Sequence, residues 1–198
     1  GQATIEVGAE LSFGLDWCGA RTADDAGGGT PLSREGADAE FTKLVLSGRA
    51  RVPFGDDVQL TVNGRAQTSF GEPLLVAEQF GLASPREISP LDAGTLLGDS
   101  GWVLRGELAR RWETEAGDLP LSVAPFVFAA TGRVSLEQPG ADERGETGAS
   151  AVGVGVDLFS PFDGAFSNGS VRLELGMGSR DDDEDDVAAF SLATSFRF

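Results

Sequence analysis

At 198 residues and a formal net charge of −17, the chain is one domain or a large piece of one, and its acidity argues against nucleic acid, whose phosphates demand a basic partner. It has no histidine, the commonest general base and metal ligand, which argues against hydrolytic and zinc chemistry, and its lone Cys18 excludes an intramolecular disulfide. No apolar run approaches the roughly 18 residues of a membrane helix, so any membrane is crossed by strands.

The chain opens with no initiator methionine, basic n-region or signal h-region, and is expected to start mid-protein or after processing. From Ile5 to Trp17 every odd position is apolar and every even one is Glu, Gly, Ser or Asp. That is a strand with one apolar and one wet face. Strands of soluble sheets average five or six residues, whereas membrane-spanning ones need about nine to eleven. Seven more such segments follow. Residues 41–54 set Leu44, Leu46, Ala50, Val52 and Phe54 against Lys43, Ser47, Arg49 and Arg51. Residues 57–70 set Val58, Leu60, Val62, Ala66 and Phe70 against Gln59, Thr61, Asn63, Arg65 and Gln67. In 101–112, Trp102, Leu104, Leu108 and Trp112 oppose Arg105, Glu107 and Arg111, while 121–134 is apolar on both sides and its faces cannot be assigned from pattern. Residues 149–159 alternate Val152, Val154, Val156 and Leu158 with Gly153, Gly155 and Asp157. Residues 170–179 alternate Val171, Leu173, Leu175 and Met177 with Arg172, Glu174 and Gly176. The last strand, 187–198, puts Phe190, Leu192, Phe196 and Phe198 opposite Ser191, Ser195 and Arg197.

Connections alternate in length. Turns near Gly55-Asp56, Glu115-Gly117 and Pro161-Gly164 are tight, and between them lie long loops near 18–40, 71–100 and 135–148, with an acidic one at 180–186. Short turns on one side and long loops on the other predict an all-β, antiparallel transmembrane β-barrel, periplasmic below and extracellular above, in the bacterial outer membrane. The polar face carries Arg49, Arg65, Arg105, Glu107, Arg172 and Glu174. Facing lipid, a mid-plane arginine would cost about 2–4 kcal/mol, so these charges are expected to line a hydrated lumen. Trp17, Phe54, Phe70, Trp102, Trp112 and Phe162 fall at strand ends as interface girdles do. Phe196 and Phe198, on the terminal strand, resemble the sorting signal read by the barrel assembly machinery.

One stretch carries a closer likeness. Residues 78–102, Glu-Gln-Phe-Gly-Leu through Leu-Leu-Gly98-Asp99-Ser-Gly-Trp102, resemble the long loop and following strand of the two-partner secretion transporters of the hemolysin-activator type. Pro125-Phe-Val-Phe128-Ala-Ala130-Thr-Gly132-Arg-Val134 is similar to that family's Pro-Tyr-x-Phe-x-Asp-x-Gly-Arg-Val strand. The resemblance implies that the eight strands are strands nine to sixteen of a sixteen-stranded barrel, with the first barrel half and periplasmic POTRA domains outside this chain. It further implies a loop arginine reaching into the lumen to pair with the strand aspartate. Without gaps, Ile88-Ser89-Pro90-Leu91 falls on the family's Val-Arg-Gly-Tyr, so the arginine position is Ser89 and the aspartate position is Ala130. Losing both partners is nearly neutral where losing one strands a charge. A gapped alignment restores Arg86 as the loop arginine but gives it no carboxylate at Ala130. The loop is then expected to be held by Ile88 and Leu91 packing on Phe126 and Phe128.

The function expected is an outer-membrane pore that translocates or displays a secreted partner protein (an exoprotein), with outer-membrane lipid and the assembly machinery as further partners. A passive diffusion pore or surface barrel that has lost the loop lock is the alternative. An enzyme is not expected, nor a cofactor or metal. The run Asp181-Asp182-Asp183-Glu184-Asp185-Asp186 reads as a solvated loop tip, and Ala26-Thr30, with no following helix, as a flexible loop rather than a phosphate cradle.

Overall fold

The computed structural model describes residues 1–17, 22, 32–34, 36–117, 119–161, 168–182 and 185–197. Cys18, the 26–30 segment, Phe162, Asp183, Glu184 and Phe198 lie outside the described residues. The strands are β1 (Thr4–Phe13), β2 (Thr42–Phe54), β3 (Val58–Thr68), β4 (Phe80–Gly81), β5 (Leu97–Gly98), β6 (Ser100–Arg110), β7 (Trp112–Ala116), β8 (Leu119–Ser135), β9 (Glu146–Pro161), β10 (Asn168–Arg180) and β11 (Val187–Arg197), with one 3₁₀ turn at Val76–Glu78. The long strands form one antiparallel meander in the order β1-β2-β3-β6-β8-β9-β10-β11, and β4 pairs with β5 alone.

β6 and β7 are one strand in two pieces. Ala109 faces Phe126 and Trp112 faces Val123, so the register against β8 is unbroken. The ladder lapses at Arg110–Arg111 because Pro125, opposite, has no N–H to donate. Arg111 turns its own N–H to the Asp57 carbonyl at 2.8 Å. The fourth long strand therefore runs on to Ala116, beyond the 112 at which the alternating pattern ended. Gly55 and Gly117, at φ +68 each, make the tight turns on one side of the sheet.

The two faces of this sheet are opposite in chemistry, and the apolar one is bare. Cross-strand partners trace one row, Ile5-Ala50-Val62-Gly106-Ala129-Val152-Met177-Ala188, across all eight long strands without a polar side chain. The next row, Val52-Leu60-Leu108-Val127-Val154-Leu175-Phe190, is equally apolar. Val7 is 84% exposed and Phe190 66%, whereas Arg105 on the other face is 1% exposed and Glu174 4%. A water-soluble sheet buries the former and exposes the latter; this inversion is what a hydrocarbon solvent requires. β8, ambiguous in sequence, is resolved: Phe126, Phe128, Ala130 and Val134 are buried on the covered face and Val127 is bare.

What covers that second face is the connection from β3 to β6, about thirty residues long. A loop of this length without long strands of its own is uncommon unless it has a task. It turns at Phe70–Gly71, both at positive φ, passes the 3₁₀ turn, and doubles back as the β4–β5 hairpin. The core lies between loop and sheet. Phe80, Leu82, Ala83, Ile88, Leu91 and Leu96 come from the loop; Val103, Phe126, Phe128, Ala130, Val134, Ala149 and Ala151 come from the sheet.

Candidate functional site

The loop tip, residues 84–92, is a compact unit before it touches anything. Glu87 N–H bonds back to Ser84 O at 3.0 Å, and Ser84 Oγ donates to Glu87 Oε2 at 2.8 Å. Leu91 N–H closes a second turn on Ile88 O at 3.3 Å. Its seat is made by glycine. A Cβ at position 176 would lie 2.8 Å from Pro90 Cγ, and one at 178 would lie 3.2 Å from Leu91 Cδ2. On the adjoining strand the rings of Phe128 and Phe126 lie across their register partners Gly153 and Gly155, where a Cβ would come within 2.4 Å and 2.3 Å. Flat aromatic rings over cross-strand glycines give the tip a shallow apolar floor.

Polar anchors surround that floor. Arg65 on β3 forks Glu87, Nε to Oε1 at 2.7 Å and Nη2 to Oε2 at 2.9 Å, and also donates to Gly81 O at 2.8 Å. Its guanidinium stacks 4.1 Å over the Phe80 ring. Arg105 on β6 donates to Ser89 Oγ at 2.9 Å and to Glu87 O at 3.1 Å, and pairs with Glu174 Oε2 on β10 at 2.7 Å. Ser89 Oγ in turn donates to Glu174 Oε1. Arg105 lies 3.7 Å over the Phe128 ring, and Arg172 lies 4.0 Å over Phe126. Arg172 ties Glu107 and reaches Asp157 at 3.0 Å, so two guanidinium groups and three carboxylates form one network across β6, β9 and β10. Charge-assisted, forked contacts of this kind are roughly twice as strong as neutral ones and fix geometry as well as energy.

At the long-loop end a second knot forms on Asp99, which is fully buried. Its carboxylate accepts Leu74 N–H at 2.9 Å, Gln79 Nε2 at 3.1 Å and Glu137 N–H at 2.6 Å, and pairs with Arg34. Asp99 N–H donates to Ser135 O at 2.8 Å. One carboxylate thus joins three loops to the end of β8. Gly98 must lack a side chain because a Cβ would sit 2.7 Å from Val134 Cβ and under 3 Å from the Ser135 backbone. Gly132 must likewise admit Leu82 and the Trp102 carbonyl.

The residues singled out in the sequence therefore fall as follows. Ile88 and Leu91 are buried in the cluster that holds Phe126 and Phe128. Pro90 rests on Gly176, and Gly98, Asp99 and Gly132 lie where the motif strands meet the loop bases. Arg86 is exposed at the tip. Arg65, Arg105, Glu107, Arg172 and Glu174 share the covered face with Arg49. Ser89 and Ala130 both meet one residue: Ser89 by hydrogen bond, Ala130 as the cross-strand partner of Arg105. Phe196 is on the bare face of β11, paired in register with Gly169. Sequence reasoning missed Glu87. The signal was present in the Ser84-x-x-Glu87 spacing and in β3, whose Arg65 has no carboxylate on its own strand or on β2.

Residues 1–158 match the family model described as haemolysin secretion/activation protein ShlB/FhaC/HecB. The chain belongs to that family. Neither a curated protein nor a solved structure matches it. The ShlB/FhaC/HecB proteins are outer-membrane transporters of Gram-negative bacteria, built on a transmembrane β-barrel and working with a secreted exoprotein. That membership gives the bare apolar face its solvent, the outer-membrane hydrocarbon. Among the described residues, β1 and β11 have no strand partner on their outer edges.

Proposed function

We propose that this chain is the C-terminal half of a two-partner secretion pore, strands nine to sixteen of a sixteen-stranded barrel, and that residues 69–99 are the gate through which an extended exoprotein passes. The observation that carries the reading is the loop tip seated on the inner wall by Arg65–Glu87 and by Ser89 on the Arg105–Glu174 pair. The lock here is reversed in polarity from the one the family pattern implies: arginine stands on the wall and the carboxylate on the loop. The outer edges of β1 and β11, unpartnered among the described residues, support a larger barrel closed by further strands, and Phe196 on the bare face of β11 supports recognition by the assembly machinery. A passive pore without a lock is not favoured, because both anchors are intact.

A cysteine pair tests the gate. In the full-length protein carrying Cys18→Ser, Pro90→Cys with Gly176→Cys places two thiols where tip and wall touch. Secretion of the exoprotein is expected to stop under oxidising conditions and return on reduction. Undiminished secretion with the cross-link formed would sink the gating role.

A further inference from the structure

The chain's acidic residues outnumber its basic ones 32 to 15. Neither β2 nor β3 contains a single carboxylate, yet together they carry Lys43, Arg49, Arg51 and Arg65. All four side chains lie on the covered face. The hairpin is a cationic strip inside an anionic protein, and composition alone does not produce such segregation.

The neutralisation of this strip is uneven. Lys43 pairs with Glu78 at 2.8 Å and Arg65 with Glu87 at 2.7 Å, and both carboxylates belong to the loop. Arg51 has Glu6 of β1 at 3.1 Å, a pair half open to solvent. Arg49 Nε is buried and has no hydrogen-bond partner among the described residues. Arg86, exposed at the loop tip, lies within electrostatic reach of Arg49, as Arg51 does, and on the opposite side of the balance stand Glu6, the register partner of Arg49 on β1, and Glu107. Below the strip, Arg49, Arg51, Gln59, Thr61 and Arg111 help line a cavity of about 340 Å³ that continues to Glu107, Asp157 and Arg172. Asp56 and Asp57, at the turn, are the other carboxylates there, and Asp57 is shared with Arg110 at 3.5 Å.

The loop leaves the turn-proximal half of β2 uncovered. Its tip packs against β8 and β10 and pairs with Arg65 of β3, and among the described residues its hydrogen bonds to β2 are confined to Thr42 and Lys43 at the long-loop end. A chain moving past the docked tip therefore meets Arg49, Arg51 and Arg86 before it meets Arg65.

We infer that Arg49, Arg51 and Arg86 form a carboxylate-binding track along the open side of the lumen, and that the segment of the transported partner which engages it is acidic. The inference rests on the transport reading above and adds the charge of the cargo and the order of events. An acidic segment on Arg49 and Arg51 is placed to compete with Glu87 for Arg65, and so to loosen the tip from its seat. Opposite charges lining a confined path raise the local concentration of the matching ligand and guide its approach.

The full-length protein in planar bilayers provides the test, with an oligoglutamate and an oligolysine peptide added in turn on the periplasmic side. Oligoglutamate is expected to interrupt the current and oligolysine not. In Arg49→Gln/Arg51→Gln the lifetime of the oligoglutamate block is expected to fall about tenfold, as loss of two solvent-facing charge pairs implies. Heat-modifiable migration checks that the variant is folded, and Arg49→Lys/Arg51→Lys should keep most of the block. Equal block by both peptides, or an oligoglutamate block indifferent to the two substitutions, overturns the track while leaving the pore standing. A folded wild-type protein that neither conducts nor secretes takes down the transport reading and this one together.

Discussion

The covered face of the sheet is two surfaces. Within its β8–β10 part, the seat under the loop tip is made of Phe126, Phe128, Gly153, Gly155, Gly176 and Gly178, all either flat or absent as side chains. Its β2–β3 part is made of long cations and amides. The first accepts a rigid object by shape, and the loop tip is seated there. The second offers charge without a fixed fit, and the loop meets it through the ion pairs of Glu87 and Glu78, with Phe80 and the Gly81 carbonyl also on Arg65. The contrast assigns different physics to the two sides of the tip: close packing on glycine on one, exchangeable ion pairs on the other. Both ion pairs are partly buried at the edge of the loop, where water can still reach to trade one partner for another, whereas close-packed contacts are felt to the last methylene.

The glycine seat offers the strongest way to break the comparison. Gly153→Val puts a branched side chain where even a Cβ would meet the Phe128 ring at 2.4 Å and the Leu175 carbonyl at 2.5 Å, so ring and backbone must both move. Overpacking of this kind costs about 1–3 kcal/mol and sometimes more. Urea unfolding of the full-length barrel in liposomes should show that loss. An equal loss from Gly106→Val, whose Cβ meets nothing within 4 Å, would mean that the seat is not special.

The Arg105–Glu174 pair sharpens the same boundary, since it stands where the two surfaces meet. Arg105→Met leaves Glu174 and Glu107 without their buried cation and is expected to destabilise by about 3–5 kcal/mol, an upper figure for a pair that keeps Arg172 nearby. Adding Glu174→Met should return much of it, because replacing a whole buried pair by apolar groups is often close to neutral. A double-mutant cycle by urea titration measures the coupling. A strictly additive result would show that the pair does not act as a unit.

Most of the fold was legible because the sheet obeys a period of two. Every long strand follows from alternation, since nothing in a two-faced sheet competes with the pattern except where both faces are apolar. β8 was opaque to pattern for that reason, and only the loop resemblance turned Phe126 and Phe128 toward Ile88 and Leu91, where they floor the seat of the tip under two arginines. The loop motif was legible at Gly98 and Gly132, where steric closeness leaves little choice of residue, and at Asp99, whose buried carboxylate three loops share. The anchoring chemistry was not. Ser89 and Ala130 looked like an emptied lock, and the pairing of Glu87 with Arg65 spans 22 residues in a direction no local period encodes. The segregation of charge on β2 and β3 was visible, but its meaning required knowing which side the loop would occupy.

The smallest expected effect comes from the long-loop rim, where ion pairs hold neither surface. Asp182 is held by Arg180 through two hydrogen bonds at 2.6 and 2.8 Å, and that bonding keeps its carboxyl below the usual carboxylate range. A depressed pKa means that the folded state favours the ionised form, so its contribution is present at neutral pH. It is lost as pH falls through the lowered value, where the carboxylate finally takes a proton. Solvent screening keeps the contribution small. Asp182→Asn should leave urea stability at neutral pH almost unchanged and should flatten the acid limb of the pH profile slightly. A large loss at neutral pH would move the anchoring of the outer loops from Asp99 to the rim, and with it the distinction between buried carboxylates that hold the structure and exposed ones that yield to exchange.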